Sequence, residues 1–63
     1  MDLKKLKLLR KSKGWSQEDI AKEIGIARTY YNSIERGKID AGFKTIVKIA
    51  KALRVKLADL VKD

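Results

Sequence analysis

The chain has 63 residues, with 16 Lys and Arg against 8 Asp and Glu, giving a net charge of +8. It contains no Cys and no His, which excludes disulfides and removes the commonest metal ligand and general base. A chain this short is expected to form one domain, residues 1–63, held together by apolar packing alone. The excess of positive charge suits a polyanion partner, because each neutralised phosphate releases counterions.

No apolar run approaches the roughly 20 residues of a membrane span. The first apolar residues are broken by Lys every few positions, unlike a signal peptide, so an intracellular protein is the expectation. There is no phosphate-cradling glycine loop and no cluster of carboxylates. An enzyme is therefore not expected, nor a metal, a cofactor or a small-molecule substrate.

Apolar residues recur at helical spacing, and glycines mark the joints. The pattern predicts five short helices and an all-α fold. The first covers about Asp2 to Lys13, with Leu3, Leu6 and Leu9 as its stripe and Gly14 as its stop. The second follows Ser16, a capping residue with Asp19 in capping-box position, and turns Ile20, Ala21 and Ile24 inward.

The third helix runs from about Ala27 to Arg36, with Ala27, Tyr31 and Ile34 inward and Gly37 at its end. The fourth covers about Phe43 to Leu53 and is expected to bury Phe43, Ile46, Val47, Ala50 and Leu53. The last, about Leu57 to Val61, carries Leu57, Leu60 and Val61. Trp15 reads as a packing anchor. Tyr31 reads as a core residue whose hydroxyl reaches a polar partner.

The stretch from Gln17 to Ile34 stands out. Two helices are joined through Gly25 by about three residues, and the small Ala21 allows them to cross closely. On a 100° wheel, Arg28, Thr29, Asn32, Ser33 and Arg36 share one arc of about 140° on the third helix. That arc holds two Arg, several short hydrogen-bonding side chains and no acid. A helix with one buried side and one donor-rich side can lie in a DNA major groove.

These residues give each position a chemical role. Arg28 can bond guanine O6 and N7 together, with a phosphate contact as the alternative. Thr29 can touch a thymine methyl or donate to a base edge, the Ala27 methyl can meet a thymine methyl, Asn32 can pair with adenine, and Ser33 can bond either strand. Arg36 and Lys38 are expected to meet phosphates, with Lys13 and Lys44 as weaker candidates. Arg10 falls within the first helix's apolar stripe and needs a partner there. Glu35, at the edge of the third helix's inner side, is that expected partner, and Arg10 is given a phosphate as a further contact.

The chain resembles the lambda-repressor-like helix-turn-helix family of phage repressors, Cro proteins and small bacterial regulators. The resemblance begins at Leu6-x-x-Leu9-Arg10 and passes through Gly14-Trp15-Ser16-Gln17-Glu18-Asp19-Ile20-Ala21 and Gly25-Ile26. It continues with Ile34-Glu35-Arg36-Gly37-Lys38, the run Thr45 to Leu53, and Val55, Leu57 and Leu60. It implies a five-helix domain with its helix-turn-helix at about 17–36, a phosphate contact at Gln17, and the same Arg10–Glu35 pair.

It further implies a cytoplasmic regulator of prokaryotic or phage origin, with a repressor as the leading expectation. The DNA partner is double-stranded with a pseudo-palindromic site. A homodimer is implied as well, weak without DNA for so short a chain, with Ile39 and Leu57 as candidate exposed contacts. Three departures from the family pattern are Ala27, where a capping Ser or Thr is often found, Tyr31, where an aliphatic residue is common, and Arg54, where Gly is frequent. If the joint at Arg54 needs positive φ, that residue is strained. The alternative is a protein-interaction module, antitoxin-like or scaffolding, that keeps the fold without reading DNA. Membrane binding through the amphipathic first helix is a weaker alternative.

Overall fold

A computed structural model describes residues 1–61, so the last two positions of the expected 1–63 unit lie outside the described residues. Four α-helices follow one another: α1 Leu3–Ser12, α2 Gln17–Ile24, α3 Arg28–Glu35 and α4 Phe43–Leu53. A single 3-10 turn, Leu57–Asp59, takes the place of the expected fifth helix. The segment is too short to repay the cost of nucleating an α-helix. Its start is instead fixed by the Asp59 carboxylate, which accepts from the Lys56 N–H at 3.0 Å.

Local chemistry sets each boundary. Asp2 caps α1 by accepting from the Lys5 N–H at 3.1 Å, so it precedes the helix. Ser16 and Asp19 form a reciprocal capping box at the start of α2: Ser16 Oγ accepts from the Asp19 N–H, and Asp19 accepts from the Ser16 N–H. Hydrogen bonding to the carboxylate from the Ser16 backbone N–H first, and from the Ser16 side chain second, holds the Asp19 carboxyl below its ordinary pKa. Gly25 ends α2 at φ 75°, a left-handed conformation that glycine adopts without strain.

The core is built from Leu6, Ile20, Ala21, Ile24, Tyr31, Ile49, Ala50, Leu53 and Leu60. Leu3 and Leu9 are half-buried at its edge. Leu57 is half-buried against it, which corrects the expectation of an exposed contact there. The backbone N–H of Asp2 donates to the Leu60 carbonyl at 2.8 Å and ties the two ends of the described chain together.

Three inward assignments are corrected. Phe43 is 69% exposed and Val61 is exposed, while Ile49, not singled out in the sequence, is fully buried. Val61 lies past the 3-10 turn, where helical spacing no longer applies. Ala27 is exposed because it is the N-cap of α3 and sits outside the helix whose wheel had placed it inward. It forms no side-chain cap bond.

Candidate nucleic-acid interface

The α2–α3 unit is closed by three intervening residues, Gly25, Ile26 and Ala27. Ala21, almost fully buried, allows the close crossing, and Ile20, Ile24, Tyr31 and Ile34 fill the angle. With those residues inward, α3 turns its other side outward. Arg28, Thr29 and Arg36 are exposed, and Asn32 and Ser33 are half-buried along the edge of the same face. Ser33 Oγ donates to the Thr29 carbonyl at 3.1 Å. Lys38, in the loop after α3, is exposed, as is Lys44 in the first turn of α4.

Beneath this face runs a connected polar network. Arg10 Nε donates to Glu35 Oε2 at 3.0 Å, and Nη2 donates to Glu35 Oε1 at 2.9 Å. Arg10 Nη1 donates to the Trp15 carbonyl at 2.7 Å. Both charged residues are buried, at 6% exposure each. Every guanidinium nitrogen holds a protein acceptor, which uses three of the five N–H groups of Arg10.

The network extends outward through Gln17. Gln17 Nε2 donates to Glu35 Oε1 at 3.3 Å, and Asn32 Nδ2 donates to Gln17 Oε1 at 2.7 Å. Gln17 and Asn32 are thus joined to each other across the α2–α3 crossing, a link that no spacing in the sequence encodes. Gln17 is half-buried, and its carbonyl oxygen is already engaged.

Burial alone would raise the Glu35 carboxyl, but hydrogen bonds from Arg10 and Gln17 outweigh it and hold its pKa below the ordinary value. The hydrogen bonds to Glu35 outweigh burial for Arg10 too and raise its pKa. The Tyr31 phenol approaches the pair closely enough to feel both charges, and burial raises its pKa. Its Oη thus reaches the polar pair expected of it, but without a bond that meets hydrogen-bond geometry.

Trp15 packs against the core, with Lys13 Nζ 4.9 Å above its ring. Tyr30 is at the surface and Ile39 is exposed. Residues 17–36 carry three basic and four acidic side chains, so the charge excess lies outside the helix-turn-helix. It is borne by exposed lysines of α1 and α4, such as Lys4, Lys7, Lys11, Lys44, Lys48 and Lys51. Among the described residues there is no metal-binding group of His, Cys, Asp and Glu, and no helix long and apolar enough to cross a membrane.

Comparison with known proteins agrees with this architecture. The helix-turn-helix family model matches residues 6–60. Control protein C.MunI of Mycoplasma sp is 45% identical over 60 residues, covering 94% of this chain and 81% of that protein. A hypothetical transcription factor of Neisseria meningitidis is 42% identical over 50 residues, covering 79% of this chain; the matched region spans 47% of that protein. The crystal structure of the Neisseria factor superposes with a TM-score of 0.84 at 40% identity, covering 87% of this chain and 62% of that one. The restriction-modification controller protein C.AhdI from Aeromonas hydrophila superposes with a TM-score of 0.88 at 36% identity, over 94% of this chain and 86% of that one. On the order of its helices, its Gly25 turn and these matches, the chain belongs to the lambda-repressor-like helix-turn-helix family of DNA-binding transcriptional regulators.

Proposed function

We propose that the chain binds double-stranded DNA in a sequence-specific manner and regulates transcription, as a repressor, with α3 in the major groove. The observation that carries this reading is the outward face of α3. Arg28 and Thr29 stand free at its N-terminal end, and Asn32 and Ser33 line its edge. Those are the side chains for base edges, with the exposed Ala27 methyl beside them. Arg36 and Lys38 hold phosphates at the other end of the helix. Gln17 reaches a phosphate through its backbone N–H and its remaining side-chain N–H, since its carbonyl oxygen serves Asn32.

The wider positive surface draws DNA in without choosing a sequence. The named relatives include control proteins of restriction-modification systems and a transcription factor, and a regulatory role for this chain rests on that kinship. Two copies binding half-sites one helical turn apart would read a pseudo-palindromic site. The exposed Ile39 is the candidate apolar contact between copies.

The deciding experiment selects duplexes from a random pool and sequences the bound fraction. A two-fold motif with half-sites about 10 base pairs apart is expected. Recovery of unenriched sequences, with affinity set by salt alone, would overturn the reading.

A further inference from the structure

We infer that Gln17 is a positioning residue for sequence readout, fixing which way the Asn32 carboxamide faces; this rests on the reading of Asn32 as a base-contacting side chain. The argument starts at the buried pair. Glu35 is held as a carboxylate by the two-point contact with Arg10, so it can only accept hydrogen bonds. The Gln17 carboxamide lies against it and must turn its Nε2 inward, at 3.3 Å. A flipped Gln17 would put its carbonyl oxygen against the carboxylate.

With Nε2 committed, Gln17 Oε1 faces α3, and Asn32 must meet it with Nδ2, at 2.7 Å. The charge of Glu35 therefore dictates the polarity of Gln17, and Gln17 dictates that of Asn32. What remains at Asn32 is Oδ1 and one Nδ2–H. Oδ1 has no protein partner and is absent from the buried unpaired atoms, so it reaches solvent.

One acceptor beside one donor is the pattern that pairs with adenine N6 and N7. A free asparagine can rotate its amide and offer the reverse. Here the amide is oriented before DNA arrives, so less rotamer freedom is lost on binding. The buried Arg10–Glu35 pair thereby acts on the reading face through a single intermediate side chain.

The test uses the full chain. Base preferences are measured at each position of the selected duplex for wild type and for Asn32→Ala, which identifies the position Asn32 reads. Gln17→Ala is expected to lower preference at that same position by about tenfold while preserving the position lost in Arg28→Ala. Gln17→Met, which keeps the length and packing of the side chain, is expected to behave alike. In the DNA-free protein, nitrogen-15 spectra are expected to show the Asn32 side-chain amide protected from exchange in wild type and unprotected in both Gln17 variants.

If the Gln17 variants weaken all sequences equally and leave base preference intact, Gln17 is a phosphate contact only. The inference then fails while Asn32 keeps its role. If Asn32→Ala itself changes no base preference, the assignment of Asn32 as a reader falls, and this inference with it.

Discussion

Arg10 near the end of α1 and Glu35 at the end of α3 meet in a two-point ion pair across 25 positions of sequence, almost sealed from solvent. Isolated charges at such depth are expensive, and the pair is tolerated because each satisfies the other. Losing one partner leaves the other buried and uncompensated, at a cost of about 3–5 kcal/mol. Small domains have few kcal/mol in hand. Arg10→Met or Glu35→Leu alone is therefore expected to be largely unfolded in a urea titration, and the double variant to recover most of the stability. Equal loss in the double and single variants would mean that the pair contributes a net attraction beyond mutual compensation.

The same pair sets a pH dependence. Glu35 is depressed below its ordinary value of 4.5 by hydrogen bonds that outweigh burial. A carboxylate depressed on folding contributes stability that is fully present above the unfolded pKa and is lost as pH falls through the folded one. Stability should hold from neutral pH to about 5 and then decline on further acidification. Asp19, also depressed, adds a contribution of the same sign. Glu35→Gln should be less stable at neutral pH yet show a shallower acid decline, read as the urea midpoint against pH. An unchanged acid limb would place the titration on other carboxylates.

Tyr31 presents the opposite situation, a buried polar atom with no bond. An unpaired hydroxyl in the core costs about 1–3 kcal/mol of desolvation. Tyr31→Phe retains the ring, which is fully buried, and removes that cost. The variant is expected to be as stable as wild type or to melt a few degrees higher, at about 4–8 °C per kcal/mol for a domain of this size. A loss of more than about 1 kcal/mol would show that the hydroxyl is bonded in solution.

What the sequence could reveal depended on how local the determining physics is. The capping box at Ser16 and Asp19 and the left-handed turn at Gly25 involve adjacent residues, and both were readable. The side of α4 that faces the core was readable only in part: Ala50 and Leu53 are buried as expected, and Phe43 is not. Phe43, Ile46, Val47, Ile49, Ala50, Ala52 and Leu53 spread over more than half the wheel, so the period was clear but the phase was not. Packing against α2 and the 3-10 turn chose the side centred between Ile49 and Ala50 and left Phe43 outside. The Gln17–Asn32 bond was equally hidden, because it depends on how α2 crosses α3, and no spacing rule encodes an angle.

Arg54 carries a strain that its neighbours impose. It ends α4 at φ 58° and ψ 42°, and is the only non-glycine at positive φ among the described residues. Left-handed backbone costs an L-residue about 1–2 kcal/mol. Glycine would remove that cost but lose some back through its more flexible unfolded chain. Arg54→Gly is expected to gain about 0.5–1 kcal/mol, seen as a higher melting temperature. Arg54→Val should lose stability, since β-branching worsens the same conformation. Equal melting points for all three proteins would show that the joint relaxes at no cost.

Arg28 and Lys38 allow readout to be separated from attraction. Arg28 opens α3 on its outward face, whereas Lys38 lies beyond the helix end in an exposed loop. A base contact discriminates, so Arg28→Ala should cost about 1–3 kcal/mol on the selected duplex and much less on a scrambled one. A phosphate contact does not discriminate, so Lys38→Ala should weaken both duplexes alike and reduce the slope of log affinity against log salt by about one. Most of the slope should survive, because the charge excess resides on α1 and α4, outside residues 17–36. Fluorescence anisotropy at several salt concentrations with both duplexes measures both effects in one series. Should the two variants give the same pattern, Arg28 holds a phosphate, and discrimination falls to Thr29, Asn32 and Ser33 along the edge of the helix.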